Sequence, residues 1–296
     1  MRWNCFQVDR VPVSAATRQQ NSKESLTAAD HDEIRSTSNP TVRRLVRLRD
    51  NRFRRRSRRV IVDGWRECRR AIEAGLDLCG VYCAESPGEF HELVRKAGEV
   101  GKLQRVTPEI LEKIGYGQSA RGVVAEFHQP DRTLQSLTLP EQPFILVLDR
   151  IEKPGNVGAV FRCADAAGVD AVVLTDGGDL FNPNAIRSSL GTVFRVPAAV
   201  ATAAETQAFL AQRDIRVLAA RVESSNPLWA SDLSGSLAVV LGNEAEGLAD
   251  RWQALGSTPI QGIQIPMAGV VDSLNISVSA AVIAYEVLRV RSRSDC

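Results

Sequence analysis

The chain is poor in the side chains that most often carry proton transfer and metal chemistry. Its only histidines are His31, His91 and His128, all in the first half. A histidine base in the second half is therefore excluded. Its cysteines are Cys5, Cys68, Cys79, Cys83, Cys163 and Cys296, scattered and without a CxxC pair. That spacing fits neither a zinc site nor a disulfide framework, so reduced thiols and no metal are expected. Aromatic residues make up only 5%, against 44% hydrophobic residues in all, so a real core is expected to rest on Val, Leu, Ile and Ala. No apolar run is long enough to span a bilayer, and no basic-then-apolar leader opens the sequence. A soluble, non-secreted, cytoplasmic protein is the expectation. Two common phosphate-binding loops are also missing: there is no GxxxxGK[ST] and no GxGxxG.

Lysine is scarce too, at five of 37 basic residues, and the arginines are unevenly placed. Residues 41–70 hold 13 arginines against Asp50, Asp63 and Glu67 in a chain whose net charge is only +2. The remainder is thus acidic. A concentrated basic segment on an acidic protein marks a polyanion partner, unless it is only a solvated helix face. Arginine suits the first reading, since its planar fork grips phosphate and stacks on bases. Arg54, Arg55, Arg56 and Arg58 are the candidate contacts to such a polyanion.

Residues 1–37 are polar and aperiodic and are expected to be a disordered tail. Ser38-Asn39-Pro40 offers a cap and a first-turn proline for a helix with Val42, Leu45, Val46 and Leu48 on its apolar side. Strands are expected at Val60–Val62, Leu78–Ala84, Leu103–Val106 and Gly122–Phe127. Helices are expected at Trp65–Ala74, Glu89–Val100 and Pro108–Ile114. These form a small α/β domain over 38–128. A proline-marked linker, 129–142, precedes a second domain over 143–292. There the apolar run Phe144–Leu148 reads as a strand buried on both faces. Helices at Val157–Ala167, Asn184–Leu190, Thr202–Gln212 and Ile276–Val290 alternate with strands at Ala171–Leu174, Val193–Val196, Val217–Ala220, Leu237–Leu241 and Ile263–Ile265. Such alternation predicts a parallel sheet with right-handed crossovers.

Three loops in this second domain follow or include apolar runs and are rich in Gly, Asn and Ser. They are Lys153-Pro154-Gly155-Asn156-Val157-Gly158, running on to Arg162; Leu241-Gly242-Asn243-Glu244-Ala245-Glu246-Gly247-Leu248; and Ile265-Pro266-Met267, running on to Asp272-Ser273-Leu274-Asn275-Ile276-Ser277. Loops at the ends of buried parallel strands are where α/β proteins hold nucleotide-like ligands. Taken singly each loop has a plainer use: Glu246 as a helix-start carboxylate, Ser273 and Asn275 as caps. Cys163 reads as a packing residue.

In this order, the three closely resemble the motifs of the SpoU/TrmH branch of the SPOUT methyltransferases. The opening of the small domain, Ser38-Asn39-Pro40 through Val62-Asp63-Gly64, is similar to the substrate-binding domain often fused ahead of them, although Asp63 stands where those domains often carry Glu. That domain is itself similar to kink-turn-binding ribosomal proteins. The resemblance implies a trefoil-knotted catalytic domain, a homodimer, and S-adenosylmethionine-dependent methylation of a ribose 2′-hydroxyl in RNA. It implies cofactor contacts from Leu241, Gly242, Gly247, Ile265, Met267 and Leu274, mostly through backbone. It implies catalytic roles for Asn156, Arg162, Glu244, Ser273 and Asn275. In the family the arginine matching Arg162 has been proposed as the base. A guanidinium hardly ever gives up its proton, so the expected role is to bind phosphate and stabilise the developing alkoxide, with Asn156 orienting it. The N-terminal domain favours ribosomal RNA. Transfer RNA, or a non-catalytic RNA-binding or ribosome-assembly role, are the alternatives.

Overall fold

The computed structural model describes residues 33–84, 102–116, 122–223, 225–243, 246–248 and 250–294. The first part of the described chain builds α1 (Pro40–Arg47), α2 (Asn51–Ser57), β1 (Arg59–Asp63), α3 (Trp65–Glu73), β2 (Leu78–Cys83), β3 (Leu103–Arg105), α4 (Pro108–Ile114) and β4 (Val123–His128). Local chemistry sets the helix starts. Asn39 accepts from the Thr41 amide with Pro40 in the first turn, and Asp50 accepts from the Phe53 amide. Arg58, left-handed at φ 52°, ends α2 and turns the chain into β1. The four strands lie in the order β1-β4-β2-β3, with β4 antiparallel to both neighbours. Part of the tail expected over 1–37 is structured, because Ile34 bridges Val106 and donates to the Arg105 carbonyl; residues 1–32 of that expectation lie outside the described residues. The helix expected at Glu89–Val100 lies outside the described residues.

The second part builds β5 (Phe144–Asp149), α5 (Pro154–Ala167), β6 (Ala171–Thr175), α6 (Pro183–Ser188), β7 (Ala198–Ala201), α7 (Ala203–Gln212), β8 (Arg216–Ala220), β9 (Ser225–Pro227), β10 (Leu237–Leu241), the short pair β11 (Ala254–Leu255) and β12 (Thr258–Pro259), β13 (Gln261–Gln264) and α8 (Ile276–Ser294). Seven of the strands form one sheet in the order β7-β6-β5-β10-β8-β13-β9, and every neighbouring pair is parallel. β5, β6 and β10 are buried along their whole length, which is why they read as unbroken apolar runs. The strand expected at Val193–Val196 is instead a 3-10 turn, Thr192–Phe194, and the strand starts after Pro197. Gly191, at φ 85°, and the Thr192 hydroxyl bonding back to the Ser189 carbonyl hold this segment in a turn.

The two sheets share one apolar core. Val60, Val62, Cys68 and Ala71 belong to the same buried cluster as Phe144, Leu146 and Phe161. Arg70 donates to the Leu190 carbonyl at 2.6 Å, Arg187 to that of Tyr116, and Arg54 pairs with Asp179. Residues 129–142 run along the large sheet: Leu134 is buried, and the Arg132 carbonyl accepts from the Val200 amide at 2.8 Å.

Candidate functional site

The strand order turns between β5 and β10. Parallel sheets open a crevice beyond the carboxyl ends of strands at such a point. On the β8 side of that point, the loops after β8 and β10 and the segment ahead of α8 enclose an open cavity of about 990 Å³. Leu241, Gly242, Gly247, Ser273, Leu274 and Asn275 line it. An adjoining cavity of about 340 Å³ shares Ser273 and Leu274 with the first and adds Ile265 and Met267. The six expected cofactor residues therefore meet in two joined spaces.

The second loop is closed on itself. The Gly247 amide donates to the Asn243 carbonyl at 2.9 Å, and Gly247 is left-handed at φ 60°. A Cβ on Gly242 would lie 2.3 Å from the Gly247 carbonyl carbon and 2.6 Å from the Leu248 nitrogen. Glycine is thus required by the loop's own closure. Asn243 ties the loop to the turn after β5 by donating to the Arg150 carbonyl at 3.2 Å. Glu244 lies outside the described residues.

Asn156, in the first turn of α5, accepts from the Asn275 side-chain amide at 3.4 Å. Asn275 also caps α8: its Oδ1 accepts from the Ser277 amide at 2.9 Å, and its carbonyl from Val278 and Ser279. Ser273 is exposed and bonds Asp272 at 3.4 Å. Arg162 lies further along α5, exposed, and lines neither cavity. Gly158 has a packing role, since a Cβ there would meet the Ser188 hydroxyl at 1.9 Å and the Ala185 carbonyl at 2.3 Å. Burial pushes the neighbouring Cys163 thiol up, opposed by Arg162, in keeping with a packing residue.

A charged network beside the loops draws only Glu246 from the sequence motifs. Asp149, fully buried at the end of β5, accepts from the Thr175 hydroxyl at 2.5 Å and from Arg251 at 3.0 Å. Arg251 also pairs with Asp176, and Arg150 with Glu246 at 3.0 Å. The Arg251 hydrogen bond holds the Asp176 carboxyl below its usual range. Hence the segments after β5, β6 and β10 are tied together by guanidinium–carboxylate pairs. A carboxylate straight after five apolar residues was the available signal.

The arginine cluster divides. Arg55, Arg56 and Arg58 are exposed on or just after α2. Arg54 is not available as a surface contact: it is 1% exposed, donates to the Leu48 carbonyl at 2.6 Å and pairs with Asp179. Its helical position turns it inward while its neighbours face out. Among the described residues no His, Cys, Asp and Glu cluster could hold a metal ion, and no helix is long and apolar enough to cross a membrane.

The SpoU rRNA Methylase family model matches residues 143–285, and the MRM3-like substrate binding domain model matches residues 39–125. The chain is 34% identical over 198 residues to the 23S rRNA (guanosine-2′-O-)-methyltransferase RlmB of Escherichia coli K12, covering 64% of this chain and 80% of that protein. A crystal structure of an RNA 2′-O ribose methyltransferase is 36% identical, with a TM-score of 0.76 over 88% of this chain and 99% of the other. An AdoMet-bound rRNA methyltransferase from Sinorhizobium meliloti is 26% identical, with a TM-score of 0.78 over 87% and 97%.

Proposed function

This chain belongs to the SpoU rRNA methylase family, and we propose that it methylates a ribose 2′-hydroxyl of ribosomal RNA using S-adenosylmethionine. One observation carries the reading: the second and third loops, far apart in sequence, converge on two adjoining cavities, with Asn156 of the first joined to Asn275 of the third. The larger cavity fits the cofactor in size and in chemistry, offering backbone groups, small polar side chains and the apolar edges of Leu241 and Leu274. Leu241, Gly242, Gly247, Ile265, Met267 and Leu274 would hold it. When bound, S-adenosylmethionine supplies an electrophilic methyl group on a sulfonium.

The protein's own share is alignment, charge stabilisation and exclusion of water. Asn275, fixed by its capping bonds, holds Asn156 and the edge of the pocket. Ser273 completes the polar wall. Arg162 binds an RNA phosphate and offsets the charge that develops on the ribose oxygen as its proton leaves. Its position outside both cavities of its own chain supports action on the pocket of a second copy. α8 offers a face for that copy: Val278, Val282, Tyr285 and Leu288 are all exposed, at spacings that share one side of a helix. We accordingly read the working form as a cytoplasmic homodimer with a trefoil-knotted catalytic domain over 143–292. The small domain over 38–128 supplies RNA contacts through Arg55, Arg56 and Arg58.

The arrangement is tested by mixing subunits. Arg162→Ala and Asn275→Ala chains, each inactive alone, should regain methyl transfer when exchanged into heterodimers with one intact site. No recovery despite demonstrated exchange would place Arg162 at its own chain's pocket.

A further inference from the structure

A second cavity, of about 410 Å³, lies where α2, the start of the 129–142 segment and the loop after β6 meet. Four arginines line it, Arg54, Arg55, Arg58 and Arg132, against two aspartates, Asp131 and Asp179. Asp179 is already engaged by Arg54. Arg132 is half-buried and has no carboxylate partner among the described residues. Within them its side chain donates to the Val193 and Phe194 carbonyls, at 3.5 and 3.2 Å. Burial accordingly pushes its guanidinium below the usual range. The Nε atoms of both Arg54 and Arg132 are buried without a hydrogen-bond partner. Arg132 is thus a half-buried cation at the wall of an open space with no carboxylate to neutralise it among the described residues, an incomplete pair.

We propose that this junction cavity is a phosphate-binding site that takes a backbone phosphate of the substrate RNA. The identification of RNA as ligand rests on the functional reading above; the anion site itself does not. A phosphate held here would touch both domains and the segment joining them. It would register the strand that leaves the exposed arginines of α2 relative to the catalytic sheet. Guanidinium groups suit the task, since they offer paired donors to phosphate oxygens.

Arg132 also ties its segment to the Val193–Phe194 turn, so the deciding variant is Thr133→Glu. Thr133 is exposed and lines the cavity, and a glutamate there sets a carboxylate where the anion would sit. Melting of the full chain is followed in inorganic phosphate and in chloride at matched ionic strength. Binding of a ribosomal RNA fragment is followed against salt, with S-adenosylmethionine affinity as the fold control. The wild type should melt higher in phosphate than in chloride, and Thr133→Glu should lose that difference. The variant should also bind the RNA about five-fold more weakly, with its log–log salt slope reduced by about one. A phosphate effect with unchanged RNA affinity and slope would make this a site for a free phosphate compound and overturn the RNA assignment. No phosphate-specific effect, with unchanged RNA binding, would overturn the site altogether. A wild type that shows the phosphate effect but neither binds nor methylates ribosomal RNA would sink the functional reading while leaving the anion site standing.

Discussion

Asn275 donates its side-chain amide to Oδ1 of Asn156 at 3.4 Å, across 119 positions of sequence. Its own Oδ1 accepts from the Ser277 amide and hydroxyl at 2.9 and 2.6 Å. The cap therefore fixes which end of the amide faces which way: oxygen to the helix, NH₂ to Asn156. Substitution separates these two duties. Asn275→Asp keeps a good cap and loses the donor, so its stability should stay within about 0.5 kcal/mol of wild type. Single-turnover methyl transfer should fall by roughly 10²-fold, as when one preorganised donor is removed. Asn275→Ala should lose both, with about 1 kcal/mol of stability. A fully active Asn275→Asp enzyme would remove this pairing from the mechanism.

The glycines of the motifs should respond differently to a single methyl group. Gly155, in the first turn of α5, has nothing within 4 Å of an added Cβ. Gly155→Ala should be neutral or stabilising by about 0.5 kcal/mol. Gly242→Ala should push the second loop off its closure at Gly247, lowering stability by about 1–3 kcal/mol and cofactor affinity with it. Calorimetry on both proteins checks the contrast; equal cofactor affinities would contradict it.

Strand positions buried on both faces were legible because burial forces continuous apolar sequence, as at Phe144–Leu148. The cap at Asn39 and the first-turn proline Pro40 were legible because they act locally. The three loops were legible as a set, and the structure brings Asn156, Ser273, Asn275 and the cofactor candidates together. What failed depends on tertiary packing. Arg54 cannot be told from Arg55 by composition, since only packing against Asp179 turns it inward. β9 is three residues at a sheet edge, too short to show a period. The network of Asp149, Asp176 and Arg251 joins residues 102 and 75 positions apart.

That network gives a pH dependence. The Arg251 hydrogen bond lowers the Asp176 pKa relative to the unfolded chain. A depressed carboxyl contributes stability that is fully present above the ordinary aspartate value, about 3.9, and is lost as pH falls through the lowered one. Wild-type stability should thus be insensitive to this group near neutrality and fall in acid. Asp176→Asn should be less stable at neutral pH, with the gap closing in acid. Denaturant unfolding of both proteins from neutral to strongly acidic pH measures it; a constant gap would contradict the assignment.

The basic segment should divide into one structural arginine and three that bind RNA. Arg54→Ala strands Asp179 and the Leu48 carbonyl and should cost about 3 kcal/mol. Joint replacement of Arg55, Arg56 and Arg58 by Gln should leave stability within about 0.5 kcal/mol. It should weaken ribosomal RNA binding and lower the salt slope by about 0.7 for each phosphate that is no longer neutralised. Unchanged RNA affinity and slope would mean that these three arginines form only a solvated face.

Methyl transfer to a ribose oxygen of ribosomal RNA can be read directly. The purified chain is incubated with unmethylated ribosomal RNA, or with transfer RNA, and S-adenosylmethionine labelled in its methyl group. The RNA is then hydrolysed in alkali. A 2′-O-methyl group blocks cleavage of the adjoining phosphodiester, so the label should appear in an alkali-resistant dinucleotide from ribosomal RNA, and Asn275→Asp should reduce it sharply. Label confined to mononucleotides or to transfer RNA, or no transfer by a chain that binds the cofactor, would contradict the account.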